Sequence, residues 1–407
     1  MKKNANRYSA RPLGKGYFVS NDTRVTHMNS SDLIIGGTGS SKTGSITFSQ
    51  LKALDKESLV VVDTKRVLYN MFEKELKGKG FDVCAIDFVN PEKSNAGYNP
   101  LSYIRRYQDG SPREQDIITI SEILIPDDYY GHDPFWAISA RIVVQFLIAY
   151  CVSVLPKEDH NMFTIGELFR MYITEEGAKA LSKWVIANPN SFAAKRFKAL
   201  EAYRAAEKTM SSIYAFVNMG LAPFDNLGLK NIYDNDNPLD LHDIGRKKTV
   251  LFINQSDCDR SQDMLVALLY TQLFQSLIYE ADDNGGQLDI PVRCILDDFG
   301  SAARIRDFDK IISVVRSRDI FITICTQSIS QLYDLYNDNQ AKTIINNCDH
   351  IIYMGSNDME TANFIGTRAN KPPETIMCMP RDKQYVLEAG KKAELMDKIP
   401  PYSFGKE

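Results

Sequence analysis

An apolar strand, Leu33-Ile34-Ile35, runs directly into the small-residue loop Gly36-Gly37-Thr38-Gly39-Ser40-Ser41 and ends on Lys42-Thr43. This order of residue types dictates a strand, a tight loop and a helix start, because only such a turn brings several backbone N–H groups to one point. It reads as a phosphate-binding P-loop. Backbone N–H groups would surround a β-phosphate, the Lys42 ammonium would reach the β/γ oxygens, and the Thr43 hydroxyl would hold Mg²⁺. The usual pattern, G-x-x-x-x-G-K-[ST], has a second glycine where this chain has Ser41. A glycine-rich strand-to-helix turn without a ligand would share several of these residues. The strand, the loop, the Lys-Thr pair and a later acidic strand together favour the phosphate site.

With 407 residues there is room for two or three domains. Apolar residues at 44% and charged residues at 25% fit a water-soluble fold rather than a disordered or membrane chain. A formal net charge of −4 gives no global attraction to nucleic acid, so any DNA contact requires a local basic patch or assembly. The cysteines are odd in number, unpaired in spacing, and set in apolar runs as at Cys84, Cys294 and Cys325, the pattern of reduced, buried thiols in a cytosolic protein. No apolar core follows the charges of Met1-Lys2-Lys3, so no signal peptide is expected. The longest apolar run, Ile142 to Leu155, contains Gln145 and is shorter than the ~20 residues a bilayer demands, so it reads as a buried helix.

After the P-loop strand, Gly44 to Ala53 should form the helix that starts on the phosphate. Ser58-Leu59-Val60-Val61-Val62-Asp63 and Phe81 to Asp87 read as buried parallel strands, with a short charged helix from Met71 to Lys79 between them. From Leu101 to Arg246 strand patterning stops and apolar positions recur at helical spacing. The last helix expected there carries Lys195, Arg196, Lys198, Arg204 and Lys208. They could face nucleic acid, or form an ordinary solvated face with Glu201 and Glu207 interleaved.

Strand patterning resumes at Lys248 to Asn254, and a long helix follows from Ser261 to Glu280. Val292-Arg293-Cys294-Ile295-Leu296-Asp297-Asp298 is an apolar strand ending in paired acids, expected beside the P-loop strand with Asp297 reaching the Mg²⁺ shell. A helix from Asp307 to Arg318 and the strands Ile320 to Gln327, His350 to Met354 and, at an edge, Gln384 to Glu388 complete the pattern. Lys42 and Asp297 lie 255 positions apart, which one compact nucleotide-binding fold accommodates only around an insertion. The expected fold class is therefore α/β, a P-loop NTPase domain with a mostly parallel central sheet flanked by helices. Residues 1–100 form its first part, 101–246 an inserted all-α domain, and 247–407 its second part.

Further residues narrow the family. These are Leu296-Asp297-Asp298-Phe299-Gly300, Ile311 to Arg318, Thr326-Gln327-Ser328-Ile329-Ser330-Gln331-Leu332, Asn346-Asn347-Cys348-Asp349 and Gly355 to Ala362. Asp133-Pro134-Phe135-Trp136 and Ala206-Glu207-Lys208-Thr209-Met210-Ser211-Ser212 add to them. Over nearly its whole length the chain resembles the coupling proteins of type IV secretion systems, the TraG/TraD-type DNA-translocating ATPases of conjugation. The resemblance implies a RecA-like ATPase domain interrupted by helices and assembling as a hexameric ring at a secretion channel. Its partners would be relaxase bound to single-stranded DNA and channel components at the inner membrane, with transfer driven by ATP.

The chain departs from that family at Ser41, where glycine is usual, at Asp298, where glutamate is usual, and at Asp63-Thr64-Lys65-Arg66-Val67, where Asp-Pro-Lys-Gly-Glu is typical. It also shows none of the N-terminal membrane anchor of most relatives. The expectation is a cytoplasmic protein at the inner face of the bacterial membrane, monomeric when isolated and possessing weak ATPase activity. By chemistry and resemblance, Gly36, Gly37, Thr38, Gly39, Ser40, Ser41, Lys42 and Thr43 would cradle the phosphates of ATP, and Thr43 and Asp297 would hold Mg²⁺. Asp298 would act as base on the attacking water, Gln327 would sense the γ-phosphate or position the water, and Arg316 or Arg318 would either reach a neighbouring subunit's site or serve as structural salt bridges or helix-end charges. His132 beside Asp133 lacks a second His or Cys at ligand spacing, so no structural metal is expected. The other function class is a docking receptor that binds ATP, scarcely hydrolyses it, and delivers relaxase or effector protein to the channel.

Overall fold

The computed structural model describes residues 7–127, 133–204, 206–256, 258–301 and 303–405, which leaves His132 outside the described residues. The chain divides into two compact units. One comprises the chain up to Val89, Asp240–Asp263 and everything from Leu273; the other comprises Asn90–Leu239 and Met264–Gln272.

Among the described residues the first unit is built on eleven strands. β1 (Ala10–Gly14) and β2 (Tyr17–Ser20) form a separate hairpin. The other nine are β3 (Asp32–Ile35), β4 (Ser58–Val62), β5 (Asp82–Asp87), β6 (Thr249–Asn254), β7 (Val292–Leu296), β8 (Ile320–Thr326), β9 (His350–Tyr353), β10 (Lys383–Glu388) and β11 (Glu394–Asp397). They make one sheet in the order β11-β10-β9-β3-β8-β7-β4-β6-β5, parallel from β9 to β5 and antiparallel at β10 and β11. This is the mostly parallel, helix-flanked sheet of a RecA-like α/β NTPase. Every residue of β3, β4, β6, β7, β8 and β9 is buried, which is why these segments read as unbroken apolar runs.

Two expectations of strand placement are corrected. The acidic strand β7 does not lie beside the P-loop strand β3; β8 pairs with both and separates them. Strand β10 is not the sheet edge, because β11 pairs outside it through Lys383↔Asp397 to Val386↔Glu394. Neither the order of parallel strands nor a short, exposed edge strand leaves a mark on hydrophobic periodicity.

Beneath the P-loop strand sits a buried charge cluster. Arg11 grips Asp32 through Nε and Nη2 at 2.8 and 2.7 Å, while Arg293 Nη1 (3.3 Å) and Thr323 Oγ1 (3.1 Å) donate to the same carboxylate. Burial would push the Asp32 carboxyl up, but the two guanidinium groups outweigh it and hold it below the usual range. Asp32 is also the register partner of Thr323 and of His350, so the cluster pins β3 against both neighbours.

Residues 101–246 form no strand among those described, and in the second unit helices Glu114–Leu124, Pro134–Val154, Met162–Tyr172, Glu175–Ala187, Phe192–Arg204 and Glu207–Leu221 dominate. Helix Pro134–Val154 is long and apolar enough to cross a membrane by composition, yet 67% of its apolar window is buried. Its Phe146 packs on Tyr172 and Phe197 with centroids 5.4 and 5.1 Å apart, and Gln145 Nε2 donates to Ser121 Oγ at 2.8 Å. A helix apolar on all sides is what a central core helix requires.

The helical unit begins at Asn90, ahead of the position where helical spacing starts. Gly97 exchanges backbone hydrogen bonds with Asn237 and Leu239, both 2.8 Å. A Cβ at Gly97 would stand 2.7 Å from Asn235 Cβ, so only glycine permits this approach. The single helix expected from Lys195 is two, and Arg196 and Arg204 stack on Phe192 and on Tyr172 and Phe197. Only Lys195, Lys198 and Lys208 of that basic group are exposed.

Candidate functional site

The P-loop leaves the top of β3 with Gly36 N–H bonded to Thr326 O at 3.0 Å and Gly37 N–H to Gly355 O at 2.7 Å. Both neighbouring strands thus hold the loop at its root. A Cβ on Gly36 would lie 2.4 Å from Ser40 Oγ, so the loop closes on itself there only because Gly36 has no side chain. Gly39 (φ 77°) and Ser41 (φ 70°) both take the left-handed conformation. Ser41 therefore occupies, as a non-glycine residue, a backbone state that costs about 1–2 kcal/mol for an L side chain.

After Lys42 the helix opens with a wide π-turn, Thr43–Thr47, in which Phe48 N–H bonds back to Thr43 O, and continues as Phe48–Lys52. The N–H groups of its first turn have no carbonyl ahead of them within the helix, the condition that makes a helix start an anion site. Lys42, only 8% exposed, donates from Nζ to Gly36 O at 2.6 Å, so its charge is held against the loop it would share with a phosphate. Ser40 Oγ is buried in the same loop without a partner among the described residues.

Across the sheet, Thr43 Oγ1 donates to Asp297 Oδ2 at 2.6 Å, and Thr47 Oγ1 lies 3.4 Å from the same oxygen. Burial pushes the Asp297 carboxyl above its ordinary range; the Thr43 hydroxyl opposes that, the nearby Asp298 charge adds to it, and Lys42 opposes it. A hydroxyl and a carboxylate held this close, with a lysine behind them, form a hard-oxygen donor set that suits Mg²⁺. Among the described residues no group of three or more His, Cys, Asp or Glu is placed to hold a metal.

Asp298 sits in the left-handed region too (φ 49°), half-buried, with its N–H donated to Asp297 Oδ1 at 3.0 Å. Aspartate tolerates this region better than glutamate, because its short side chain bonds locally. Gln327 directly follows β8, between the P-loop strand and the acidic strand, and its Oε1 lies 3.4 Å from Thr38 Oγ1. Gln331 accepts from Gln327 N–H and from Thr326 Oγ1, both at 3.0 Å, and so fixes the turn that carries Gln327.

A cleft of about 230 Å³ is lined by Thr43, Asp63, Thr64, Lys65, Asp297, Asp298 and Tyr402, among others. Asp63 accepts from Tyr69 N–H at 2.8 Å; burial pushes its carboxyl up while the N–H groups of Tyr69, Leu68 and Val67 oppose the shift. The sequence marks Asp63 as the end of a buried strand. Tyr402 carries no such signal, for it follows two prolines in a segment without periodicity.

The structure does not bring Arg316 and Arg318 to this cleft. They precede β8, at the opposite end of a strand that spans roughly 20 Å. Arg318 is engaged with Asp282 through Nε at 2.8 Å and Nη2 at 3.2 Å, whereas Arg316 is exposed.

No curated protein matches the sequence. Solved structures do match in fold. The plasmid coupling protein TrwB in complex with the ATP analogue ADPNP is 11% identical with a TM-score of 0.72, covering 98% of this chain and 90% of that one. TrwB in complex with ADP and Mg²⁺ is 14% identical with a TM-score of 0.70, covering 94% and 88%. VirB4 of Thermoanaerobacter pseudethanolicus is 10% identical with a TM-score of 0.58, covering 97% of each chain. At the level of sequence, the family described as Type IV secretory system Conjugative DNA transfer matches residues 2–371. A match over that span, on a fold with the P-loop, the acidic strand and the polar strand end in one site, shows that the chain belongs to the type IV secretory system conjugative DNA transfer family.

Proposed function

We propose that this chain is the ATP-driven motor of a conjugative coupling apparatus, binding Mg·ATP at the P-loop and using its hydrolysis to move relaxase-linked single-stranded DNA through a secretion channel. The observation that carries this reading is the 2.6 Å bond between Thr43 and Asp297, which joins the phosphate loop to the acidic strand end. In this reading Gly36, Gly37, Thr38, Gly39, Ser40 and Ser41 wrap the phosphates, and Lys42 turns from the Gly36 carbonyl to the β/γ oxygens. Bound Mg²⁺ supplies charge neutralisation at those oxygens. Thr43 and Asp297 hold it, Asp298 accepts the proton of the attacking water, and Gln327 positions that water or senses the γ-phosphate.

The interrupted α/β domain belongs to the same proposal, as do a hexameric ring in action and a place at the cytoplasmic face of the cell membrane. Exposed Arg316 is better suited than Arg318 to reach a neighbour's nucleotide, because Arg318 already has a carboxylate partner. The TrwB complexes with an ATP analogue and with ADP and Mg²⁺ support the choice of ligand.

A second reading, an ATP-binding docking receptor with little turnover, is favoured by the strained Ser41 and the short Asp298. Steady-state ATP hydrolysis measured with and without single-stranded DNA separates the two. The motor predicts turnover that rises with DNA; nucleotide binding with no turnover under either condition supports the receptor.

A further inference from the structure

The segment that follows β11 crosses the outer face of the P-loop helix. Ile399 is buried, Tyr402 N–H donates to Gly44 O at 3.0 Å, and Phe404 packs against the core beside Phe18, with centroids 6.1 Å apart. Between these anchors the Tyr402 ring lies over Gly44. A Cβ there would be 3.0 Å from Cε2 and 3.2 Å from Cζ of the ring, so the approach depends on glycine at the residue after Thr43. The ring also meets Phe48 edge-on at 5.4 Å.

Two features go beyond what packing requires. Tyr402 has φ 56°, a state that a bulky aromatic residue adopts only under constraint, and such outliers gather at ligand sites. Despite its anchors, Tyr402 is 42% exposed, and it walls the same cleft as Thr43, Asp297 and Asp298. The N–H groups at the start of the P-loop helix are those that take the phosphates, and Gly44 lies in that first turn, directly after Thr43. A ring over Gly44 therefore stands where the sugar and base leave the phosphate site.

We propose that Tyr402 is the platform on which the base of the bound nucleoside triphosphate stacks, a binding residue supplied by the segment after β11. This rests on the P-loop binding nucleotide. Stacking uses the π-face of any base and is strongest for purines, so the platform favours ATP and GTP over UTP without distinguishing the first two by hydrogen bonds.

The test is calorimetric titration of the protein and its Tyr402→Phe, Tyr402→Leu and Lys42→Ala variants with Mg·ATP, Mg·UTP and Mg·tripolyphosphate. Leucine keeps apolar packing on Phe48 but has no π-face. Tyr402→Leu is expected to weaken ATP about tenfold, to erase the preference for ATP over UTP, and to leave tripolyphosphate unchanged; Tyr402→Phe should retain all three affinities. An equal loss of ATP and tripolyphosphate affinity in Tyr402→Leu would make the residue a strut of the P-loop helix and overturn the proposal. Unchanged ATP affinity, or a wild-type protein that binds ATP and UTP alike, overturns it as well. Lys42→Ala should weaken every ligand, and if it weakened none, the P-loop reading itself would fail.

Discussion

Thr43 and Asp297 meet at 2.6 Å although their strands are not neighbours in the sheet. The hydroxyl spans the width of β8 because the loop after β3 leans over that strand's end, where Gln327 also emerges. Replacing Thr43 by alanine or Asp297 by asparagine should therefore remove the gain in ATP affinity that Mg²⁺ provides, while Lys42→Ala should remove binding with or without the metal. Titration of ATP in Mg²⁺ and in EDTA measures this directly.

Burial raises the Asp297 carboxyl, and that shift has a sign. A carboxyl with a folded-state pKa above its unfolded value adds stability below the ordinary aspartate range and loses it as pH rises through the raised value. At neutral pH without Mg²⁺ the charged form is a burden on the fold. Asp297→Asn should raise the melting temperature there, and the difference from wild type should vanish in acid. Mg²⁺ affinity of the wild type should fall as pH drops toward the raised value. A lower melting temperature for the variant at pH 7 would contradict the account.

Ser41→Gly relieves the left-handed strain at φ 70°. The relief of about 1–2 kcal/mol is offset by roughly 0.5–1 kcal/mol of extra unfolded-chain entropy, so stability should change little. The phosphate-ready loop shape, however, should be more populated, tightening ATP about five- to tenfold. Unaltered affinity in the glycine variant would show that Ser41 holds the loop shape at no cost to binding.

Asp298→Asn should preserve ATP affinity and lower turnover a hundredfold or more, as expected for loss of a general base. Asp298→Glu reaches about 1.5 Å further and should raise kcat, with a cost to stability because glutamate is less at ease at φ 49°. Single-turnover rates and thermal melts of the two variants separate these effects. If Asp298→Asn turned over at the wild-type rate, another group would be the base.

Asp32 offers the opposite pH behaviour. Its carboxyl is held below the usual range, so its contribution is present above the ordinary aspartate pKa and is lost as pH falls through the lower folded value. Asp32→Asn leaves Arg11 and Arg293 buried without their countercharge and should destabilise the fold by about 3–5 kcal/mol, with a shallower acid limb in its stability curve. Urea unfolding across pH 3–7 checks both.

The phosphate loop, its strand and the acidic strand end were legible because each writes a local pattern: an unbroken apolar run, small residues, then a charged terminus. What joins them was not. That β8 stands between β3 and β7 follows from crossover connections, and periodicity is silent on those. The sequence left Arg318 open between a charge offered to a neighbouring subunit and a structural salt bridge, because Asp282, its partner, lies on a different helix. Tyr402 was invisible for a related reason, since its role depends on Gly44 lacking a side chain far upstream.

Strand β3, four residues long and wholly buried, pairs with β8 and β9. On a ribosome adding about 5–20 residues per second, the stretch from Ile35 to Thr326, where its first partner strand ends, takes roughly 15–60 s to synthesise. For that interval the phosphate loop hangs from an apolar strand with no companion. The phosphate loop thus gains its supporting strands only when most of the chain has been made, so the site is completed late in synthesis.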